Sequence, residues 1–66
     1  MTEADRETLE QEFGQVWDTD DLRRDFEVLG FLAPCVSVRR RVDQVMGTLM
    51  FQHQPRLYYA FKIDQP

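Results

Sequence analysis

Hydrophobic residues repeat with one period before Gly30 and with another after it. Upstream, Leu22, Phe26 and Leu29 are spaced as on one face of an α-helix. Downstream, apolar and polar side chains alternate in steps of two, as they do along a half-buried strand. A single change from the helical period to the strand period predicts an α+β fold. We expect one or two N-terminal helices packed on one face of a three-stranded antiparallel β-meander, in the order α-α-β-β-β.

Two helices are predicted in the first half, at about residues 2–13 and 19–29. The second has the clearer start, because Asp18 is a favourable N-cap residue and Asp21 occupies the third helical position. Gly30 follows the last apolar residue of the stripe, where glycine commonly ends a helix. Both helices are therefore expected to precede the sheet and to cover it.

The second half predicts three strands, at about residues 34–41, 46–53 and 57–63. In the first hairpin, a two-residue turn at Asp43 and Gln44 sets Val38 beside Leu49. A four-residue loop over 42–45 keeps the same register. Because a slip of one residue would turn every side chain to the other face, this agreement between apolar partners favours the register.

The second hairpin is predicted to turn through a three-residue loop, 54–56. This loop sets Phe51 beside Tyr59 and Leu49 beside Phe61, so that apolar side chains of all three strands face the helices. A two-residue loop would place Phe51 opposite the neighbouring tyrosine and break the pattern. The interpretation therefore assigns Tyr59 and Phe61 to the core.

A chain of 66 residues is expected to be a single domain, and one this short buries only about 60% of its unfolded surface, so its stability is expected to be marginal. One cysteine, Cys35, excludes an internal disulfide, and together with the single histidine, His53, it falls short of a structural zinc site. Alternation places these two side chains on opposite faces, so they form no nucleophile–base pair. No catalytic, cofactor-binding or metal-binding residue is predicted, and we expect a non-enzymatic protein.

The third predicted strand is apolar on both faces over residues 57–61 and lies at an edge of the expected meander. An apolar edge is usually covered or paired. The N-terminal helix could cover it, or a second subunit or another protein could pack there. For the second case, we expect an interface of Met50, Tyr58 and Ala60 on the outer face and an interaction module that forms a homodimer.

An alternative function is nucleic-acid binding by the outer face, through Arg39, Arg41 and Lys62 beside Tyr58. A sequence pI of about 4.7 argues against it. A helix followed by three antiparallel strands resembles the first four elements of a double-stranded RNA-binding domain. That family closes with a second helix bearing a basic cluster, for which residues 64–66 offer no counterpart, so no binding residue is carried over.

Charge is unevenly distributed along the chain, at −7 in residues 1–30 and +3 in residues 31–66. The two halves can attract each other within one fold, or one of them can face a partner. A third hypothesis is that the acidic half mimics nucleic-acid phosphates and blocks a partner. The N-terminus has no signal-peptide pattern, no apolar run is long enough for a membrane span, and the cysteine is single, so a cytoplasmic protein is expected.

Overall fold

The computed structural model describes residues 4–64. Its elements, in chain order, are α1 (Arg6–Phe13), α2 (Thr19–Asp25), β1 (Phe26–Leu32), β2 (Cys35–Arg40), β3 (Met46–His53) and β4 (Arg56–Ile63). The strands form one antiparallel sheet in the order β1-β2-β3-β4. The α+β class is confirmed, and the predicted three-stranded meander is wrong by one strand, β1. The predicted start of helix 1 at residue 2 lies outside the described residues.

The second helix is shorter than predicted, because β1 replaces its last turn. Phe26 takes extended dihedral angles, with φ −134° and ψ 155°, while its N–H still donates to the Leu22 carbonyl. From there Phe26 pairs with Arg40 and Val28 pairs with Val38. Strand pairing buries the Phe26 side chain to 1% exposure. Of the apolar residues that predict a helix to residue 29, the structure buries Leu22 and Phe26 and leaves Leu29 exposed, and the prediction is wrong over residues 26–29.

Carboxylate caps fix both helix starts. Asp5 accepts a hydrogen bond from the Thr8 N–H at 2.9 Å and so begins α1. Asp18 and Asp21 form a capping box at the start of α2, as their spacing predicts. Gly14 ends α1 with φ +83°, a left-handed conformation that glycine adopts without steric cost. These residues set where both helices begin and where α1 ends.

The β2–β3 hairpin is shifted by two residues from the predicted register. Val36 lies opposite Leu49 and Val38 lies opposite Gly47. The loop spans five residues, 41–45, and Gln44 has φ +63° within it. A shift of two preserves the face of every side chain, so the predicted core residues of these strands still face the core.

The β3–β4 hairpin turns through two residues, 54 and 55, and places Phe51 opposite Tyr58. The predicted pair of Phe51 with Tyr59 is therefore wrong. A bulge near Ala60, whose φ is +57°, adds one residue to β4. Beyond it Thr48 pairs with Lys62, in the predicted register. The shorter turn exchanges the faces of the two tyrosines, and the bulge restores the predicted alternation, so that Phe61 faces inward.

The inner face of the sheet, defined here as the face that carries Val36, Val38 and Leu49, holds the main core. The buried members of this core are Trp17, Leu22, Phe26, Val36, Val38, Leu49, Phe51 and Tyr58. The side chain of Phe61 packs against the same cluster and covers Gly47 closely. Helix α2 therefore closes the inner face, together with Trp17 from the segment before it.

Helix α1 packs on the opposite, outer face, which corrects the prediction that both helices share one face. Leu9 and Val16 form a second buried cluster with Leu57, and Tyr59 packs beside them. The ring of Phe13 lies 4.9 Å from that of Tyr59. Strand β4 is thus covered on both faces, as its apolar composition requires. Neither helix in the described part of the chain has the length and hydrophobicity needed to cross a membrane.

Candidate interaction surface

Strand β1 forms an open edge of the sheet, and β2 is its only strand partner within residues 4–64. Every residue of β1 after Phe26 is exposed. Four of these residues have large apolar side chains: Val28 (37% exposed), Leu29 (42%), Phe31 (54%) and Leu32 (82%). The sequence carries no charged residue from Val28 to Val38. An edge with free backbone groups and apolar, uncharged side chains is the kind that pairs with another chain.

A β-bulge at Leu29 divides this edge into two parts. The first part, Phe26–Val28, adjoins α2 and carries Glu27. The second part, Gly30–Leu32, is called here the outer segment and has no charge. Because the bulge interrupts the regular backbone pattern, a long partner strand cannot pair along the whole edge. The outer segment remains available for a short one.

The ring of Phe31 is held in place from inside the sheet. It meets Phe51 edge to face, with ring centroids 5.4 Å apart, and the Arg56 guanidinium carbon lies 5.7 Å from its centroid. Arg56 is itself oriented, since its Nε donates to the Tyr58 hydroxyl at 3.0 Å and its Nη1 donates to Nδ1 of His53 at 3.1 Å. A side chain ordered in this way loses less conformational entropy when a partner binds.

At the opposite edge of the sheet, the chain itself pairs with β4 at one residue, Tyr58. The Trp17 N–H donates to the Tyr58 carbonyl and the Tyr58 N–H donates to the Trp17 carbonyl, each at 2.8 Å. The indole Nε1 of Trp17 donates in turn to Asp25 at 3.0 Å, which ties this segment to α2. The sequence leaves open whether the apolar last strand is covered by the chain itself or by a partner. In the structure, the segment between the helices and α1 both cover β4.

The three predicted interface residues, Met50, Tyr58 and Ala60, do not form one surface. Met50 is 36% exposed on the outer face, whereas Tyr58 is 3% exposed in the inner core. Ala60 is half-buried at the β4 bulge. The prediction that Tyr58 lies outward is wrong, because the shorter hairpin turn reverses the alternation. Of the three, only Met50 offers an exposed large side chain.

The three candidate nucleic-acid contacts are separated and partly occupied. Arg39 lies on the outer face and donates through Nε and Nη2 to Glu27, at 3.1 and 2.7 Å. Arg41 lies beyond the end of β2 and donates to the Arg23 carbonyl at 2.9 Å. Lys62 is exposed two strands away from Arg39. No observation here favours a phosphate-binding groove, and the nucleic-acid hypothesis remains a prediction.

The acids at the helix starts converge on one arginine. Arg6 donates to Asp21 at 3.1 Å and to the Val16 carbonyl at 2.9 Å, and it also pairs with Glu10 and Asp18. The hydrogen bond from Arg6 lowers the pKa of Asp21 below 3.8, and the backbone N–H of Asp18 lowers it further. These carboxylates therefore hold α1 and α2 together. Phosphate mimicry by the acidic half stays untested.

Reactive side chains are dispersed rather than gathered. Cys35 pairs with Met50 on the outer face, while His53 lies on the inner face and accepts from Arg56. No group of three His, Cys, Asp or Glu residues suited to a metal ion occurs within the described range 4–64.

A cavity of about 280 Å³ opens beside α2 and has Trp17, Asp25, Phe26, Arg40 and Phe61 in its lining. Both charged groups have partners already, since Asp25 accepts from Trp17 and Arg40 donates to Asp43. This volume is at the lower limit for small-molecule sites. The cavity therefore offers little to orient a ligand.

The open edge is the feature that the sequence interpretation does not contain. A signal for it exists, since Phe26, Glu27 and Val28 alternate in steps of two and phenylalanine and valine favour strands. The helical spacing of Leu22 and Phe26 competes with that signal over the same residues. Comparison with protein-family models, with curated proteins and with solved structures gives no match.

Proposed function

We propose that this chain is a small non-enzymatic protein-interaction module that self-associates through β1, with a second copy of the same chain at the open edge. The observation that carries the proposal is the combination, in one strand, of an unpaired sheet edge with exposed apolar side chains. Four of the nine large apolar side chains exposed within residues 4–64 belong to β1. An edge of this kind gains both hydrogen bonds and apolar burial when a strand is added.

A second copy suits this edge on electrostatic grounds. The chain carries a net charge of −4, so the repulsion between two copies is smallest where the contact itself carries no charge. The outer segment, Gly30–Leu32, meets that condition. A strand edge can also pair with itself about a two-fold axis, which makes a closed dimer. Contact over a few residues predicts a weak, concentration-dependent dimer.

Sedimentation velocity over a concentration series tests the proposal. We expect the wild type to shift from monomer to dimer, and Leu32→Lys to remain monomeric because it places a charge within the uncharged contact. Val42→Lys is the matched control, since Val42 is 85% exposed and Leu32 is 82% exposed, but Val42 lies in the β2–β3 loop. This control should dimerise like the wild type.

Two results would count against self-association at β1. A wild type that stays monomeric at all concentrations would exclude the second copy and leave the edge to a strand of another protein. Equal dimerisation by Leu32→Lys and Val42→Lys would move the contact away from β1. Circular dichroism of both variants establishes that each remains folded, which is expected because both side chains are already in solvent.

A further inference from the structure

Pairing with β2 fixes which backbone N–H and C=O groups of the outer segment point into the sheet and which point away from it. The Arg40 N–H donates to the Val45 carbonyl and the Gln44 N–H donates to the Arg40 carbonyl, each at 2.7 Å, so the backbone of Arg40 faces β3. The Pro34 carbonyl accepts from the Phe51 N–H and faces β3 as well. Backbone directions alternate along a strand. Every second residue between Pro34 and Arg40 therefore turns its backbone groups towards β1, and these residues include Cys35 and Ser37.

This alternation determines which groups of β1 are free. Gly30 pairs with Ser37 and Leu32 pairs with Cys35, so the backbone groups of Gly30 and Leu32 point into the sheet. Phe31, between them, points its N–H and C=O outward, away from β2. Within the outer segment, Phe31 thus supplies one donor and one acceptor to an incoming strand.

We propose that two copies pair antiparallel about a two-fold axis that passes between their Phe31 residues. This inference rests on the proposed self-association and specifies its register. Each Phe31 N–H donates to the Phe31 carbonyl of the other copy, which uses both outward groups. The two rings then lie side by side on the inner face, each already ordered by Phe51 and Arg56.

The side chains on the outer face are complementary in the same register. Pairing Phe31 with Phe31 sets Leu32 of each copy opposite Gly30 of the other. Leu32 is 82% exposed, and the space where a Gly30 side chain would project contains no atom within 4 Å. The large Leu32 side chain of each copy therefore occupies the open space beside Gly30 of the other copy, and the dimer contains this contact twice.

A competing register centred on Val28 is less favourable. It would set Phe31 of the second copy opposite Asp25, the last residue of α2, and so place an aromatic ring against a carboxylate. It would also run through the bulge at Leu29, where the alternation of faces changes, so that Phe26 on one face would oppose Gly30 on the other. The Phe31-centred register avoids both conflicts.

A size exchange across the two-fold axis tests this register. Gly30→Leu fits the isolated chain, because the space is open there, but it opposes Leu32 of the second copy. We expect the dimer dissociation constant to rise by about tenfold or more, since an overpacked contact costs that much. The double variant Gly30→Leu with Leu32→Gly restores large against small and should return the constant towards the wild-type value. Circular dichroism checks the fold of each variant.

The outcomes separate the register from the self-association on which it rests. Loss of the dimer in Gly30→Leu with recovery in the exchanged variant supports the Phe31 axis. A wild-type dimer that Gly30→Leu leaves unchanged, or that the exchange fails to restore, overturns the register while the self-association stands. A wild type that is monomeric at every concentration overturns both.

Discussion

Trp17 and Tyr58 exchange both of their backbone hydrogen bonds, at 2.8 Å each, across one edge of the sheet. This pair makes the sheet asymmetric. At the β4 edge the chain's own segment between the helices pairs with Tyr58, and the β1 edge is open. Strand β4, which is apolar on both faces over residues 57–61, is covered within the chain, so its composition gives no reason to expect a partner there.

Replacement of Tyr58 should unfold the chain rather than dissociate it selectively. Tyr58 is 3% exposed and its hydroxyl accepts from Arg56, so Tyr58→Ala should lower the free energy of unfolding by about 3–5 kcal/mol, as for other large core truncations. Urea denaturation followed by circular dichroism measures this. Met50→Ala is the control, since Met50 is 36% exposed, and should have a small effect. A Tyr58→Ala chain of wild-type stability that no longer dimerises would restore Tyr58 as an interface residue.

The two strand glycines should respond in opposite ways to a methyl group. At Gly47 an added Cβ would meet the Lys62 carbonyl and lie 2.7 Å from Cε1 of Phe61. We expect Gly47→Ala to cost about 1–3 kcal/mol, because neither neighbour can withdraw without disturbing the sheet. Gly30→Ala meets open space and should leave the stability unchanged or raise it by up to about 1 kcal/mol. Thermal unfolding at low protein concentration compares them, and equal losses would contradict the close packing at Gly47.

Alternation in the second half of the sequence was sufficient to predict where strands lie and which residues of the first hairpin face inward. The three predicted strands correspond to β2, β3 and β4. The two-residue error at Val36 and Leu49 was harmless, because an even shift keeps the faces. The one-residue error at Phe51 matters, because the predicted register places Tyr58 at the surface, whereas the observed register places it in the core. Hairpin loop length therefore decided whether the predicted site was real.

The remaining differences arise where two local patterns compete. Residues 22–29 satisfy helical spacing and, from Phe26, strand alternation as well, and the choice is made by pairing with β2, where the partners of Phe26 and Val28 lie 14 and 10 residues further along the chain. The bulges at Leu29 and Ala60 are also not predictable from the local sequence, since neither residue is a glycine and nothing around either one indicates an extra residue in the strand. The open edge at β1 was out of reach for this reason: it exists only once the last turn of the predicted helix becomes a strand.

The stabilising effect of Asp21 should depend on pH. The hydrogen bond from Arg6 holds the pKa of Asp21 below 3.8 in the folded chain, so its contribution is present above that value and is lost as the pH falls through the lower, folded pKa. We expect Asp21→Asn to be less stable than the wild type at about pH 7 and to approach it at about pH 2.

The quantity to compare is the difference in stability between the wild type and Asp21→Asn, because protonation of the other acids changes the stability of both chains. Urea unfolding midpoints of both chains at each pH measure this difference. Asp20→Asn is the control for the loss of one negative charge, since Asp20 lies in the same helical turn and is exposed. A gap between Asp21→Asn and the wild type that stays constant to the lowest pH would contradict the role of the ionised carboxylate.

Hydrogen exchange should report pairing at the Phe31 amide directly. In the isolated chain the Phe31 N–H points outward and should exchange quickly, while the N–H groups of Gly30 and Leu32 face β2 and should be protected at every concentration. If a second copy accepts the Phe31 N–H, its exchange slows as protein concentration rises. Leu32→Lys at the highest concentration should restore fast exchange. A Phe31 amide that exchanges equally fast throughout, in a sample that sedimentation identifies as dimeric, would place the contact elsewhere.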